Sequence, residues 1–165
     1  MAKATVIYGS TTGMTEAVAQ RLAALLGCEA VNINAADASS LDADLLVLGT
    51  STWGVGDLQD DWMGAGTALL EAADLSGKKV AAFGVGDSMG FADSFCDGVA
   101  TLVELATGKG AANVGAFPAA DYDGAVSSRV CAGDQFLGLP LDETNEADKT
   151  DARLEKWSAQ LKATL

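Results

Sequence analysis

Strand-like and helix-like segments alternate along most of the chain, and this order leaves few folds open to it. Six segments have the continuous or alternating apolar pattern of strands: KATVIYG (3–9), CEAVNIN (28–34), DLLVLGTST (44–52), KKVAAFGVG (78–86), NVGAFP (113–118) and QFLGLPLD (135–142). Four segments have apolar residues at helical spacing: 15–26, 59–73, 92–105 and 148–165. Strands that alternate with helices predict an α/β fold, in which helices cover both faces of a parallel sheet.

One segment breaks the alternation. AADYDGAVSSRVCAGD, residues 119–134, is polar, carries glycines and has no clear period, so we predict a loop inserted into what would be the last strand. The chain has 165 residues, only two prolines and no low-complexity tract. We therefore expect residues 1–165 to form a single domain.

Composition excludes several classes of function. Ten basic against 23 acidic residues give a net charge of −13, which disfavours nucleic acid and anionic membranes and favours either plain solubility or basic protein partners. Histidine is absent, and the three cysteines form no CxxC pair, so we expect neither a metal site nor a nucleophile–histidine pair. The N-terminal apolar run is too short for a signal peptide, and no run approaches the ~20 apolar residues of a membrane span. We expect a cytoplasmic protein.

The loop after the first strand, GSTTGMT (9–15), is rich in hydroxyl side chains. Backbone N–H groups at a helix start attract anions, and the hydroxyls of Ser10, Thr12 and Thr15 add neutral donors. The loop lacks the lysine of a nucleotide triphosphate loop and does not match the dinucleotide pattern GxGxxG. It predicts a cradle for one terminal phosphate, with simple helix capping as the alternative.

Two further glycine-rich loops follow strands, TSTWGVGDLQ (50–59) and GVGDSMGFAD (84–93). Trp53 and Phe91 in these loops can each stack on a planar ring. The alternatives are a core tryptophan that covers the sheet edge and a phenylalanine that staples the entry of a helix. Ligands bind at the carboxyl ends of parallel strands, so the three loops together predict one ligand, a flat ring linked to a phosphate.

These loops resemble those of the flavodoxin family, and the C-terminal segment resembles its long-chain branch. From Phe136 to Trp157 the chain follows the long-chain pattern FxGLxLDxxNxxxxTxxRxxxW. The resemblance implies a three-layer sandwich with a five-stranded parallel sheet of order 2-1-3-4-5, whose fifth strand is split by the insert 119–134. It also implies one noncovalently bound FMN.

The resemblance also implies the site residues. The phosphate is expected on Ser10, Thr11, Thr12, Gly13, Met14 and Thr15. One face of the flavin is expected on Thr50, Ser51, Thr52, Trp53, Gly54, Val55 and Gly56. The other face and the pyrimidine edge are expected on Gly86, Asp87, Gly90, Phe91 and Asp93. The family commonly has a polar residue where this chain has Met14, so we expect that contact from the backbone alone. It usually has a tyrosine where this chain has Phe91, so we expect stacking to be retained, with somewhat weaker FMN binding and an altered potential.

The implied function is low-potential, one-electron transfer between redox proteins, with FMN cycling between semiquinone and hydroquinone. No catalytic residue and no metal ligand are expected. The expected partners of this monomer are a ferredoxin/flavodoxin–NADP⁺ reductase, a pyruvate-oxidising enzyme, nitrogenase reductase or photosystem I. Two alternatives stay open: an FMN-dependent quinone or NAD(P)H reductase, and a phosphoacceptor signalling domain of the same strand order. The latter needs an acidic cluster where this chain has GST.

Overall fold

A parallel sheet forms the centre of the fold in a computed structural model, which describes residues 4–10, 13–53, 57–58, 61–86, 96–120, 122, 128–143 and 145–165. The strands are β1 (Ala4–Tyr8), β2 (Ala30–Asn32), β3 (Leu45–Trp53), β4 (Asp57–Leu58), β5 (Lys79–Val85), β6 (Ala112–Asn113), β7 (Phe117–Pro118), β8 (Cys131–Ala132), β9 (Gln135–Phe136) and β10 (Leu139–Leu141). The main sheet has the order β2-β1-β3-β5-β10, all parallel, while β6 also pairs with β5 and β4 pairs with β3 in antiparallel fashion.

Helices cover both faces of this sheet. They are α1 (Met14–Leu26), α2 (Thr67–Glu71), α3 (Asp97–Gly108) and α4 (Thr150–Lys162). Side chains alternate along a strand, so Leu46 and Leu48 of β3 pack in one core with α2 and α3. Leu45 and Val47 pack in the other core with α1 and α4. The predicted three-layer sandwich is confirmed. None of the helices within the described ranges is long and apolar enough to cross a membrane.

The fifth strand is split, as predicted. Its two parts are β6 and β10, which both pair with β5, so the strand order is 2-1-3-4-5 when they are counted as one strand. The predicted continuous strands 113–118 and 135–142 are wrong in detail. Each one divides between the main sheet and a second, antiparallel sheet of order β7-β9-β8. The insert 119–134 is therefore not wholly loop, since β8 belongs to it.

Side-chain hydrogen bonds accompany the division after β6. The side-chain nitrogen of Asn113 donates to the Leu137 carbonyl at 2.9 Å, and the side-chain oxygen of Asn113 accepts from the Gly115 N–H at 3.0 Å. The Val114 N–H still donates to the Val80 carbonyl of β5 at 2.9 Å, but the Val114 and Ala116 carbonyls accept from the Gln160 side chain at 3.2 and 2.8 Å. The chain therefore leaves the main sheet after Val114.

Other predicted boundaries also shift. β2 has three residues, because the Asn32 side chain accepts from the Asn34 N–H and starts a 3₁₀ turn at Ile33–Ala35. Another 3₁₀ turn follows at Ala38–Leu41. The predicted helix 59–73 is a π-helical turn, Trp62–Gly66, followed by α2. The predicted helix 92–105 extends to Gly108, and its residues 92–95 lie outside the described part of the chain. A 3₁₀ turn at Ala147–Lys149 precedes α4.

Candidate cofactor-binding site

The three predicted loops begin at the same edge of the sheet. In the register of the central strands, Gly49 of β3 lies beside Tyr8 of β1 and Phe83 of β5. The first loop therefore starts next to the point where β3 continues towards the second loop. The third loop starts after Val85, which pairs with Ser51. The sequence prediction that one edge collects these segments agrees with the geometry of the described residues.

The first loop connects β1 to the start of α1. Ser10 Oγ accepts a hydrogen bond from the Gly13 N–H at 3.1 Å, so this hydroxyl helps to form the turn and can still donate its own proton. Gly13 has φ 88°, a left-handed conformation that favours glycine, and a Cβ built on it would have nothing within 4 Å. The positive end of the α1 dipole lies at this loop because α1 begins here, and Gly13 has no side chain of its own that could cap the helix.

The other residues of the first loop differ in exposure. Thr15 is buried in the first turn of α1, whereas 47% of Met14 is exposed. Thr11 and Thr12 lie outside the described residues.

The Tyr8 phenol precedes the loop. Its pKa is raised by burial first and by the negative charge of Glu16 second. The phenol is therefore neutral at physiological pH.

The second loop is a hairpin. Thr50 is fully buried, and its hydroxyl donates to the Ser51 carbonyl at 2.8 Å. β3 extends to Trp53, and the antiparallel pairs Thr52–Leu58 and Trp53–Asp57 connect it to β4. Trp53 is thus the last strand residue, where the sequence pattern ended the strand at position 52. Gly54, Val55 and Gly56 join the two strands and lie outside the described residues.

Sequence reasoning missed the role of Trp62 at the base of this hairpin. Its side chain is fully buried, and its indole N–H donates to the Gly49 carbonyl at 2.7 Å. The sequence placed it only at an apolar position in a helical pattern. A tryptophan soon after a glycine-rich loop was the one available signal.

The third loop leaves the sheet at Gly86, whose N–H donates to the Leu141 carbonyl at 3.0 Å. Asp87, Gly90, Phe91 and Asp93 lie outside the described residues. The chain re-enters the described part at Cys96, which is fully buried and left-handed with φ 53°. Burial raises the pKa of its thiol, so it stays protonated.

The insert contacts the helix that follows the third loop. The Asp97 carboxylate, in the first turn of α3, accepts from the backbone N–H of Arg129 at 2.8 Å.

Among the described residues no group of three or more Cys, Asp and Glu side chains is placed to hold a metal ion.

Comparison with known proteins agrees with this architecture. The family model described as flavodoxin matches residues 6–157. The flavodoxin of Synechococcus elongatus is 40% identical over 168 residues, covering 99% of this chain and 98% of the relative. Flavodoxin 1 of Azotobacter vinelandii is also 40% identical, covering 98% and 96%.

A solved structure has the same fold. Fusobacterium nucleatum flavodoxin bound to flavin mononucleotide has a TM-score of 0.91 and 26% identity, covering 100% of this chain and 99% of that one. The strand order, the split fifth strand, the family match and the full-length relatives together show that the chain belongs to the flavodoxin family.

Proposed function

We propose that this protein is a low-potential, one-electron carrier that uses noncovalently bound FMN to shuttle electrons between redox proteins. The observation that carries the proposal is the meeting of three loop starts at one sheet edge in a chain of the flavodoxin family. Two of the similar solved structures are flavodoxins bound to flavin mononucleotide. When bound, FMN supplies the one-electron chemistry, cycling between semiquinone and hydroquinone.

The described residues fit the phosphate end of this cofactor. α1 begins at a left-handed glycine without a capping side chain, with open space at the Cβ position of Gly13. Unpaired N–H groups and the helix dipole stabilise an anion at such a start. Ser10 to Thr15 would hold the phosphate, with Met14 contributing through its backbone alone.

The other two loops would hold the ring. Residues 50–56 would contact one flavin face, with Trp53 stacked on it, and Gly86, Asp87, Gly90, Phe91 and Asp93 would contact the other face and the pyrimidine edge. Gly54 would allow its peptide to turn, so that its carbonyl could accept a hydrogen bond from the N5–H of a bound, one-electron-reduced flavin. Such a hydrogen bond stabilises that state by about 1 kcal/mol.

The acidic surface would set the potential of the second electron. A negative side chain about 10 Å from the flavin would raise the free energy of an added negative charge by roughly 1.7 kcal/mol at an effective dielectric of about 20. A net charge of −13 therefore favours a strongly reducing protein. The same charge would orient basic faces of partner proteins, such as a ferredoxin/flavodoxin–NADP⁺ reductase, and we expect added salt to slow electron transfer to them.

We further propose that the protein works as a cytoplasmic monomer, without turnover of a small-molecule substrate. Nucleic acid and membranes are not among the proposed partners, because nucleic acid and anionic membranes both present negative charge to an acidic surface. The insert is proposed as a docking element for redox partners. Its deletion should slow electron transfer to a partner, and unchanged partner kinetics would end that proposal.

Anaerobic stepwise reduction of the purified protein, followed by absorbance, tests the function. We expect a yellow protein that turns blue and then bleaches, in two separated one-electron steps. Bleaching in one two-electron step, together with steady turnover of NAD(P)H, would favour a reductase instead. A colourless protein that takes up no added FMN would refute the site.

A further inference from the structure

The Gly49 carbonyl connects two of the candidate cofactor loops. It accepts from the Gly9 N–H at 3.0 Å, where the chain leaves β1 for the first loop. It also accepts from the Trp62 indole N–H at 2.7 Å, where the chain returns from the second loop. One oxygen atom thus fixes the start of one loop relative to the end of the other.

The bond from Trp62 also closes the base of the second-loop hairpin. Moving from residues 54–56 to the base, the cross-connections are the Trp53–Asp57 pair, the Thr52–Leu58 pair and the Trp62–Gly49 hydrogen bond. Among the bonds between described residues, the last of these is the one that ties the return of the chain at Trp62 to the end of β3 near Gly49. The indole bond therefore helps to position the base of the hairpin.

The surroundings of Trp62 hold the indole in this place. Its ring is fully buried in the core shared with α2 and α3. Its own carbonyl accepts the Thr67 hydroxyl at 2.6 Å, across the π-helical turn. A Cβ built on Gly66 would lie 2.3 Å from the Trp62 ring atom Cε3, so the turn requires glycine at that position.

We propose that Trp62 is a positioning residue for the cofactor, which aligns the phosphate loop with the flavin hairpin through the Gly49 carbonyl. The proposal deepens the FMN function and rests on it. A ligand that touches both loops binds more weakly when they are no longer aligned before it arrives, because part of its binding energy is used to order them. A ligand that touches the hairpin alone loses less.

Trp62→Phe removes the N–H and keeps an aromatic ring, and the Gly49 carbonyl retains its bond from Gly9. Trp157→Phe is the matched control. Trp157 is equally buried, and its indole N–H donates to the Gly115 carbonyl at 2.8 Å, in the core on the opposite face of the sheet. Both variants lose the same kind of hydrogen bond, so a general loss of stability would affect them alike.

The measurement is the dissociation constant of the apoprotein for FMN and for riboflavin, which has no phosphate, by quenching of flavin fluorescence. For Trp62→Phe we expect the FMN constant to rise about fivefold, the equivalent of one net hydrogen bond. The riboflavin constant should rise less, and Trp157→Phe should change the FMN constant less than twofold, roughly the scatter of unrelated sites.

A second pair of variants keeps both tryptophans. Gly66→Ala pushes against the indole, whereas Gly64→Ala adds a methyl group in the same π-helical turn where nothing lies within 4 Å. We expect only Gly66→Ala to weaken FMN binding. This pair decides the question if Trp62→Phe fails to fold.

Equal FMN constants in Trp62→Phe and Trp157→Phe would overturn the proposal and leave the FMN function intact. Equal losses for FMN and riboflavin would also overturn it, because the indole would then act on the hairpin alone. A wild-type protein that binds no FMN would instead overturn the function on which the proposal rests.

Discussion

The ion pair between Glu146 and Arg153 is almost closed to water, which makes it a sensitive point for mutation. The side chains are 3% and 4% exposed, and Arg153 Nη2 lies 2.9 Å from Glu146 Oε1. Lys149 Nζ lies 3.2 Å from the same oxygen, with 38% of its side chain exposed. The Arg153 guanidinium carbon lies 3.6 Å from the centre of the Tyr122 ring. The pair thus lies where α4 meets Tyr122 of the insert.

Glu146→Gln removes one charge and keeps the shape of the side chain. Removing one partner of a buried pair costs about 3–5 kcal/mol, because the other charge stays buried while it loses that partner. The Tyr122 ring retains a cation–π contact worth about 1–2 kcal/mol, and Lys149 can turn to water. We therefore expect a loss near the lower limit, about 3 kcal/mol of unfolding free energy, or a fall in Tm of about 6–12 °C for a chain of this size.

Urea unfolding of the apoprotein at pH 7, followed by circular dichroism, measures this loss without the stabilisation that a bound cofactor would add. Glu104→Gln is the control, since Arg129 Nη2 lies 2.6 Å from Glu104 Oε2 but the side chains are 49% and 62% exposed. An exposed pair contributes at most about 1 kcal/mol. If both variants lose the same amount, burial does not govern the strength of the inner pair and the reasoning fails.

Three further outcomes follow from burial and close contact. Gly138→Ala should lower the free energy of unfolding by at least about 3 kcal/mol, because its Cβ would lie 2.1 Å from the Ala82 carbonyl oxygen of β5. In the same urea assay the control Gly108→Ala, whose Cβ would have nothing within 4 Å, should be neutral or stabilising. Cys96 should resist alkylation in the native protein at pH 8, as read by mass spectrometry, because burial raises the pKa of its thiol; rapid labelling would contradict this. The Ser76 hydroxyl and N–H lower the pKa of the Asp74 carboxyl, so the stability it contributes is present above its unfolded pKa and is lost as the pH falls through the folded one. Ser76→Ala should raise that pKa in an NMR titration, and an unchanged value would refute the assignment.

The layers of the fold were predictable because each rests on a short-range pattern. The runs around Leu45–Leu48 and Val80–Phe83 are apolar at every position, as strands buried on both faces require. The end of α1 at Gly27, left-handed with φ 68°, also follows from local sequence. The division of segment 113–118 was not predictable, because it involves hydrogen bonds to distant residues, from the Gln160 side chain to the Val114 and Ala116 carbonyls and from Asn113 to the Leu137 carbonyl.

Part of the candidate site was likewise predictable from the sequence, and part was not. Loops at the carboxyl ends of neighbouring strands must lie close together, so their meeting follows from strand order alone. The bond between Trp62 and Gly49 joins residues on different elements, and an apolar position in a helical pattern does not reveal it. The left-handed conformation of Cys96 is likewise set by its surroundings, since nothing in its residue type favours it.

The C-terminal pattern that resembles the long-chain branch is a structural motif. The buried Asp142 carboxylate accepts from the backbone and side-chain N–H groups of Asn145, and Trp157 donates to the Gly115 carbonyl. Gly138 allows β10 to approach β5, and Arg153 pairs with Glu146 against the insert.

Each of these contacts joins parts of the scaffold, and those of Trp157 and Arg153 connect α4 to Gly115 and to Tyr122 of the insert. The motif therefore supports the resemblance to the long-chain branch directly and the cofactor only indirectly. The FMN proposal depends instead on residues 9–15, 50–56 and 86–93. A chain that kept the C-terminal motif and lost those loops would retain this fold without the flavin.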